Sequence, residues 1–304
     1  MVKLKSMLGW LSVITISSTS ALQAQTIIPV DNLDSSSQTI EIPVNPAPVN
    51  PATDQIPAMC GGDIGARMQG VINRYPSGWG ILVQHLETGE TIYHYNADRG
   101  FIPASNAKIL TTAAALQQLP PNTTVSGNKS LTEWVRTTNL NSNNWYANTL
   151  LNKIGGPARA KEILSQLGIN PNSFNLVDGS GLSRNNRATP RAIVDTLRVM
   201  YSSPQRDLFF ASLPTAGMTG TLRNRMKQTP VKGIVHAKTG TLRGVRALSG
   251  YLERGENSTL VFSIITNHPS STGTHLVKAI DEMVVNLNTI SPCAPVAEID
   301  NFSF

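Results

Sequence analysis

The segment Ser105-Asn-Ala-Lys-Ile-Leu-Thr-Thr-Ala-Ala-Ala-Leu116 predicts a buried helix over Ser105–Leu119, opened by Pro103-Ala-Ser. Strand-like segments lie on both sides of it, at Gly80–His85 and Thr91–Tyr95 before the helix and at Ile234–Leu242, Arg246–Leu252 and Ser258–Thr266 after it. Further helices are predicted at Asp63–Tyr75, Thr132–Thr138, Trp145–Lys153, Ala158–Leu167, Pro190–Tyr201 and His275–Leu287. This order predicts an α/β protein of the α+β type, in which both chain ends form one antiparallel sheet with flanking helices and a helical subdomain.

The first 58 residues differ in composition from the rest of the chain. Lys3 and Lys5 precede the short apolar stretch Met7–Ile16, and small residues follow, which is typical of a signal peptide over residues 1–24. A retained membrane anchor is the alternative. Residues 25–58 are rich in Pro, Ser, Asn and Thr and predict a disordered linker. We therefore expect an exported periplasmic or cell-envelope protein with a folded domain over residues 59–293 and a tail over 294–304.

The formal net charge is +6, from 25 Lys and Arg residues against 19 Asp and Glu residues. The basic residues form no long run and are not interleaved with aromatic residues, so no nucleic-acid partner is expected. The five histidines are scattered, and neither cysteine lies near a histidine cluster, so no metal site is expected. Cys60 and Cys293 flank the folded region, and we expect them to form a disulfide in an oxidising compartment.

Ser105 and Lys108 form the first candidate catalytic pair. Positions i and i+3 share one face of a helix, so the lysine amine can reach the serine hydroxyl. A serine hydroxyl is a poor nucleophile without a base, and a lysine is a base only where its pKa is depressed. The apolar residues that follow Lys108 indicate a buried helix that favours such a shift.

A second Ser-x-x-Lys occurs at Ser126-Gly-Asn-Lys129. It lies in the polar stretch Pro120–Ser130 with no apolar helix behind it, and its composition is typical of a solvated loop. The spacing alone therefore does not define the nucleophile, whereas the helical context favours Ser105.

The strand-like segment near the C-terminus carries Lys238-Thr-Gly-Thr241. Glycine inside a strand weakens it, so Gly240 is explained if a ligand backbone lies against the strand there. The lysine and hydroxyl donors of this segment suit a carboxylate. An ordinary edge strand with a turn is the alternative. Four Ser-x-Asn sequences, at Ser126, Ser142, Ser173 and Ser183, also occur, and spacing does not choose among them.

Ser-x-x-Lys, Ser-x-Asn and Lys-Thr-Gly in this order resemble the penicillin-recognising serine enzymes. The local sequence resembles the D-Ala-D-Ala carboxypeptidase/endopeptidase family of low-molecular-mass penicillin-binding proteins (serine DD-peptidases). The similar segments are Pro103–Thr112, Val177–Arg184, Leu213–Arg223 and His236–Leu242. In that family the Ser-x-Asn opens a helix similar to Trp145–Gly155, which selects Ser142 and Asn144.

The resemblance implies a serine-type D-Ala-D-Ala carboxypeptidase with a β-lactamase/transpeptidase-like fold and no cofactor. Its substrates would be peptidoglycan stem peptides, its covalent inhibitors β-lactam antibiotics, and association with the membrane surface or wall is compatible with it. The implied roles are Ser105 as nucleophile, Lys108 as base, Ser142 and Lys238 in protonating the leaving amine, and Asn144, Thr239, Gly240 and Thr241 in binding the substrate. The backbone N–H groups of Ser105 and Thr241 would form the oxyanion hole.

One departure from the family pattern concerns the region between Lys108 and Ser142. Typical members carry long inserted domains there, whereas this chain has only residues 109–141, too few for a domain. The resemblance therefore implies a short member of the family. The balance between carboxypeptidase and endopeptidase action stays open. A serine β-lactamase is one alternative, although the Glu-x-x-Leu-Asn segment of class A enzymes is missing and Asp178 lies in that region. A non-catalytic penicillin- or wall-binding protein is the other.

Overall fold

The central feature is a five-stranded antiparallel sheet, whose strands lie in the order Thr91–Tyr95, Gly78–His85, Leu260–Asn267, Val245–Leu252 and Val235–Leu242 across it. A computed structural model describes residues 59–60, 63–255, 258–268 and 273–292. The strands are β1 (Met59–Cys60), β2 (Gly78–His85), β3 (Thr91–Tyr95), β4 (Thr124–Ser126), β5 (Lys129–Ser130), β6 (Phe174–Asn175), β7 (Arg187–Ala188), β8 (Val235–Leu242), β9 (Val245–Leu252), β10 (Leu260–Asn267) and β11 (Ser291–Pro292). The helices are α1 (Ile64–Arg74), α2 (Ala107–Gln118), α3 (Leu131–Leu140), α4 (Asn144–Lys153), α5 (Gly156–Gln166), α6 (Pro190–Tyr201), α7 (Arg206–Ala211) and α8 (Thr274–Leu287).

The sheet draws its strands from both halves of the chain, which confirms the predicted fold class. Strands β2 and β3 precede the helical region, and β8, β9 and β10 follow it. Strand β10 lies between β2 and β9 and pairs with each along its full length. The chain therefore leaves the sheet after β3, builds helices α2–α7, and returns to complete it.

Helices cover both faces of the sheet. On one face, apolar residues of α1 and α8, such as Met68 and Met283, pack with Ile264 of β10. On the other face, α2 and α6 pack with Val261 and Ile265 of the same strand. Strand β10 is buried at every position except its last, because helices cover both of its faces. This explains why most of its residues are apolar, without the alternation of a half-exposed strand.

The predicted helices and strands are present with small shifts at their ends. The predicted helix over Ser105–Leu119 begins as a 3₁₀ turn, Ala104–Asn106, before α2 starts at Ala107. The stretch predicted as a loop contains the short β4–β5 hairpin. The six-residue helix α7 was not predicted, since one and a half turns give too little periodicity to detect.

The first and last described segments, β1 and β11, pair in a small two-stranded sheet, where Cys60 is in register with Ser291. Cys293 lies outside the described residues, as do the predicted signal peptide, linker and tail, so the disulfide stays a prediction. Among the described helices, none is both long and apolar enough to cross a bilayer.

Candidate active site

Ser105 lies in the 3₁₀ turn that precedes α2, and its side chain is half-buried. The residue before it, Ala104, has a φ of 48°, a left-handed conformation that is unfavourable for alanine. Gly181 packs directly against this turn, because a Cβ at Gly181 would lie 1.8 Å from the Ala104 carbonyl oxygen. The position of the nucleophile is thus fixed by a strained turn that the Gly181 loop holds in place.

Lys108 lies one helical turn further on and is fully buried. Its Nζ donates to Ser105 Oγ (2.9 Å), Asn144 Oδ1 (2.8 Å) and the Ser180 carbonyl oxygen (2.6 Å). Three acceptors match the three donors of an ammonium group. Burial lowers the pKa of Lys108 to about 8, although the negative charge of Asp178 acts in the opposite direction.

Asp178 builds the loop that contacts Lys108. Its carboxylate accepts hydrogen bonds from the N–H groups of Ser180 (2.8 Å), Gly181 (2.6 Å) and Ser183 (2.6 Å), and from the Ser180 hydroxyl (2.8 Å). Burial raises the pKa of Asp178, but these hydrogen bonds outweigh it and leave the pKa below its usual value. This loop therefore places the Ser180 carbonyl on Lys108 and Gly181 on the turn of Ser105.

Ser142 and Asn144 stand at the start of α4. Asn143 between them is the N-cap residue, and its side chain accepts a hydrogen bond from the Tyr146 N–H (3.0 Å). Ser142 has a φ of 54° and so lies outside the helix, while Asn144 is its first residue. The capped helix start therefore turns Ser142 toward Lys238 and Asn144 toward Lys108.

Lys238 is the second fully buried lysine. Its Nζ donates to Ser142 Oγ (2.9 Å) and to the Thr239 carbonyl oxygen (3.1 Å). Burial, together with the positive charge of Lys108, lowers the pKa of Lys238 well below its usual value. Among the described residues no carboxylate contacts either buried lysine. Two buried positive charges repel each other and are poorly solvated, which favours a neutral amine in the site.

Strand β8 forms the edge of the five-stranded sheet beside these groups. Thr239 Oγ1 donates to Thr221 Oγ1 (2.8 Å), and Thr241 is exposed. At Gly240 a Cβ would lie 2.8 Å from the Pro103 carbonyl oxygen and 2.9 Å from Ala247 Cβ. The missing side chain at Gly240 therefore admits the turn of Ser105, a reason that the sequence analysis did not give, while its role toward a ligand stays a prediction.

The other candidate motifs lie elsewhere. Ser126 and Lys129 are exposed on the β4–β5 hairpin, where Lys129 Nζ donates to Tyr146 Oη (2.9 Å). That hydrogen bond raises the pKa of Lys129, the opposite of the shift at Lys108. Among the described residues, Ser142 and Asn144 are the only Ser-x-Asn pair that contacts the two buried lysines.

Three residues of the site had no assigned role in the sequence analysis. Thr221 contacts Thr239, and Ser180 contacts Lys108 through its backbone. Asn106 is fully buried and donates to Ser249 Oγ (2.7 Å), so it ties the turn of Ser105 to β9. Thr221 and Ser180 lie inside the segments that carry the resemblance. Their contacts, a hydroxyl pair for Thr221 and a backbone carbonyl for Ser180, join distant segments and cannot be predicted from the spacing of residues.

Comparison with known proteins finds relatives that match part of the chain. The chain is 36% identical over 177 residues to penicillin-sensitive carboxypeptidase A of Dictyostelium discoideum, covering 52% of this chain and 34% of that protein. It is 43% identical over 142 residues to a D-alanyl-D-alanine carboxypeptidase of Actinomadura sp., covering 41% of this chain and 26% of that protein. The chain thus spans about a third or less of the length of these relatives.

Solved structures share the fold. Penicillin binding protein 4 from Haemophilus influenzae superposes with a TM-score of 0.62 at 14% identity, covering 72% of this chain and 98% of that chain. A class A β-lactamase from Bacteroides cellulosilyticus gives a TM-score of 0.61 at 20% identity, covering 74% of this chain and 97% of that chain. At these identities the likeness concerns the fold alone.

The model of one protein family matches residues 72–128 and 124–288, which together span most of the chain and both buried lysines. The chain therefore belongs to the D-Ala-D-Ala carboxypeptidase 3 (S13) family.

Proposed function

We propose that this chain is a serine-type D-Ala-D-Ala carboxypeptidase that trims peptidoglycan stem peptides through an acyl-enzyme on Ser105. The observation that carries the proposal is the contact of Ser105 with the buried Lys108, whose pKa is lowered to about 8. A lysine with that pKa is neutral in about one molecule in ten at pH 7 and can accept a proton. The family membership and the names of the relatives support the same reaction.

Acylation begins with attack of Ser105 Oγ on the carbonyl carbon of the D-Ala-D-Ala bond. The serine proton passes to the neutral amine of Lys108, and the carbonyl oxygen receives the negative charge. The backbone N–H groups of Ser105 and Thr241 are proposed to stabilise that oxyanion. Since Asn144 uses its side-chain oxygen on Lys108, its NH₂ group is left to hold the substrate amide.

Collapse of the tetrahedral intermediate breaks the C–N bond. The leaving amine receives a proton from the Ser142 hydroxyl, which contacts the buried Lys238. The proton that Lys108 took from Ser105 replaces it, so the amine of Lys108 is neutral again. The terminal carboxylate binds at Thr239 and Thr241, and Thr221 completes this group of hydroxyls. Water then attacks the ester carbonyl carbon while Lys108 takes its proton, and Lys108 returns that proton to Ser105 Oγ as the ester C–O bond breaks.

A serine β-lactamase is the less favoured candidate. Rapid hydrolysis of a penicilloyl ester generally needs a carboxylate placed beside a water. Asp178 uses both carboxylate oxygens to hold its own loop, and no other carboxylate contacts Ser105 or Lys108 among the described residues. This arrangement favours a slowly released penicillin adduct.

We also propose export by the N-terminal signal, with the proline-rich segment as a linker. The basic and apolar pattern of residues 1–24 supports this proposal, as does a substrate that lies outside the cytoplasm.

Incubation of the purified protein with muropeptides, followed by mass spectrometry, tests the reaction. We expect pentapeptides to lose one D-alanine, and any dimers that split would show endopeptidase action. Intact muropeptides together with no labelling by a fluorescent penicillin would contradict the proposal.

A further inference from the structure

A small cavity adjoins the cleft on the side where the leaving residue is proposed to bind. Its volume is about 290 Å³, and its lining residues are Leu140, Asn141, Gly220, Thr221, Arg223 and Asn224. Asn141 directly precedes Ser142, and Thr221 Oγ1 lies 2.8 Å from Thr239 Oγ1. The cavity therefore lies beside the residues of the proposed carboxylate site.

The lining carries hydrogen-bond donors and a positive charge. Arg223 has an exposed guanidinium that makes no hydrogen bond or ion pair with the rest of the described chain. The two asparagines and Thr221 add neutral donors, and no acidic residue lines the cavity. A guanidinium presents a planar fork of N–H groups that matches a carboxylate.

The charge of the surrounding sequence points the same way. Residues 208–252 contain no Asp or Glu, although the chain as a whole has 19. The same stretch contains these basic residues: Arg223, Arg225, Lys227, Lys232, Lys238, Arg243 and Arg246. Arg225 is neutralised by Asp281 (2.6 Å), whereas Arg223 keeps its charge available beside the cavity.

The cavity is shaped by a close backbone contact. Gly220 has a φ of 52°, and a Cβ there would lie 2.4 Å from the Leu140 carbonyl oxygen. This contact fixes the end of α3 against the 3₁₀ turn Gly220–Leu222. The resulting space is at the lower end of ligand cavities, which suits one side chain rather than a whole peptide.

We propose that this cavity is a subsite for the side chain of the leaving residue and that Arg223 selects an acidic D-amino acid there. The proposal rests on the proposed function, because that function places the terminal carboxylate at Thr239. The side chain of the leaving residue begins two bonds from that carboxylate, so it can enter the adjoining cavity. The reaction is unchanged: the same C–N bond breaks, and water hydrolyses the same ester.

Three peptides with one common acyl half, ending in D-Ala-D-Ala, D-Ala-D-Glu and D-Ala-D-Gln, test the subsite. D-Gln has nearly the size of D-Glu without the charge. We expect kcat/KM for the D-Glu peptide to exceed that for the D-Gln peptide about tenfold, from one charge-assisted contact near solvent. Arg223→Gln should bring this ratio close to one, and Arg223→Lys should keep only part of it, because lysine keeps the charge without the planar fork.

Lys227→Gln is the matched control, because it removes a positive charge that is also exposed from a residue that does not line the cavity. It should leave the ratio unchanged. A wild-type ratio near one with normal D-Ala-D-Ala hydrolysis would overturn the subsite alone, as would equal ratios in wild type and Arg223→Gln. Failure to cleave any of the three peptides would overturn both the subsite and the proposed function.

Discussion

Among the described residues no carboxylate contacts the Lys108 amine, and its three hydrogen-bond partners are neutral oxygens. Its charged form is therefore stabilised less than that of a salt-bridged lysine, while burial disfavours it. The three neutral oxygens hold the Lys108 amine in place without the negative charge that would keep it protonated. Arginine can fill the space but cannot act as a base, because a guanidinium stays protonated.

Replacement of Lys108 tests this assignment. Lys108→Ala should slow acylation by fluorescent penicillin by about 10²–10⁴-fold, the usual contribution of a general base. Lys108→Arg should be slowed to a similar extent. Lys129→Ala is the control, since Lys129 is exposed and its pKa is shifted upward. Acylation of Lys108→Ala at the wild-type rate would remove Lys108 from the mechanism.

The pH dependence of acylation gives a second test at this scale. The neutral amine is the proton acceptor, so acylation should rise with pH up to about 8, where Lys108 loses its proton, and then level off. Below that value the rate should fall about tenfold for each pH unit. The measurement is the second-order labelling rate between roughly pH 6 and pH 9, with circular dichroism to confirm folding. A flat profile would contradict the pKa assignment.

Individual residues of the site were predictable to different degrees. Ser105 and Lys108 could be proposed from helical spacing and apolar context, because both are local properties of the sequence. Ser142 could not be chosen among four similar sequences without the family resemblance, since its contact with Lys238 joins two distant segments. The close contact of Gly240 with the Pro103 carbonyl could not be predicted, because the two residues belong to different elements.

At the scale of elements, the Asp178 loop and the turn of Ser105 behave as one unit. Gly181→Ala should destabilise both, because its Cβ would overlap the Ala104 carbonyl and Gly181 has a φ of 82°. We expect acylation to fall at least tenfold. Gly127→Ala is the control, because Gly127 also has a positive φ, 60°, but nothing lies close to its Cβ position. It should lower the free energy of unfolding by about 1 kcal/mol and leave acylation unchanged. Equal acylation by both variants would contradict the coupling.

The N-cap of α4 gives the other prediction for an element. Asn143→Ala should lower the free energy of unfolding by about 1 kcal/mol. It should also slow acylation, because Ser142 and Asn144 take their positions from this helix start. Ser130→Ala removes the comparable cap of α3 and should cost similar stability without slowing acylation. Thermal unfolding and labelling rates measured together separate the two effects.

Elements were more predictable than their contacts. The long helices and the strands of the main sheet had clear periodicity and were found within a few residues of their ends. The hairpins and α7 were missed because they are too short for periodicity to appear. Strand order, in which β10 lies between β2 and β9, depends on packing that no single segment encodes.

Over the whole molecule, the part of the chain that the structure describes begins and ends at one small sheet, where β1 pairs with β11. Cys60 is in register with Ser291, two positions before Cys293, which supports the predicted disulfide. Closure of so long a loop should stabilise the protein by about 4–5 kcal/mol on the chain-entropy account, as an upper value. Mass spectrometry of the alkylated, unreduced exported protein should find no free thiol, and two alkylated cysteines would refute the pairing.

The proposed acyl-enzyme reaction depends on Ser105 being the nucleophile. The most direct measurement is covalent labelling of the folded Ser105→Ala variant by a fluorescent penicillin, with Ser126→Ala as the control from the exposed Ser-x-x-Lys. We predict no adduct with Ser105→Ala and wild-type labelling with Ser126→Ala, while circular dichroism shows both variants folded. An adduct on folded Ser105→Ala would contradict the assignment of nucleophile and base together.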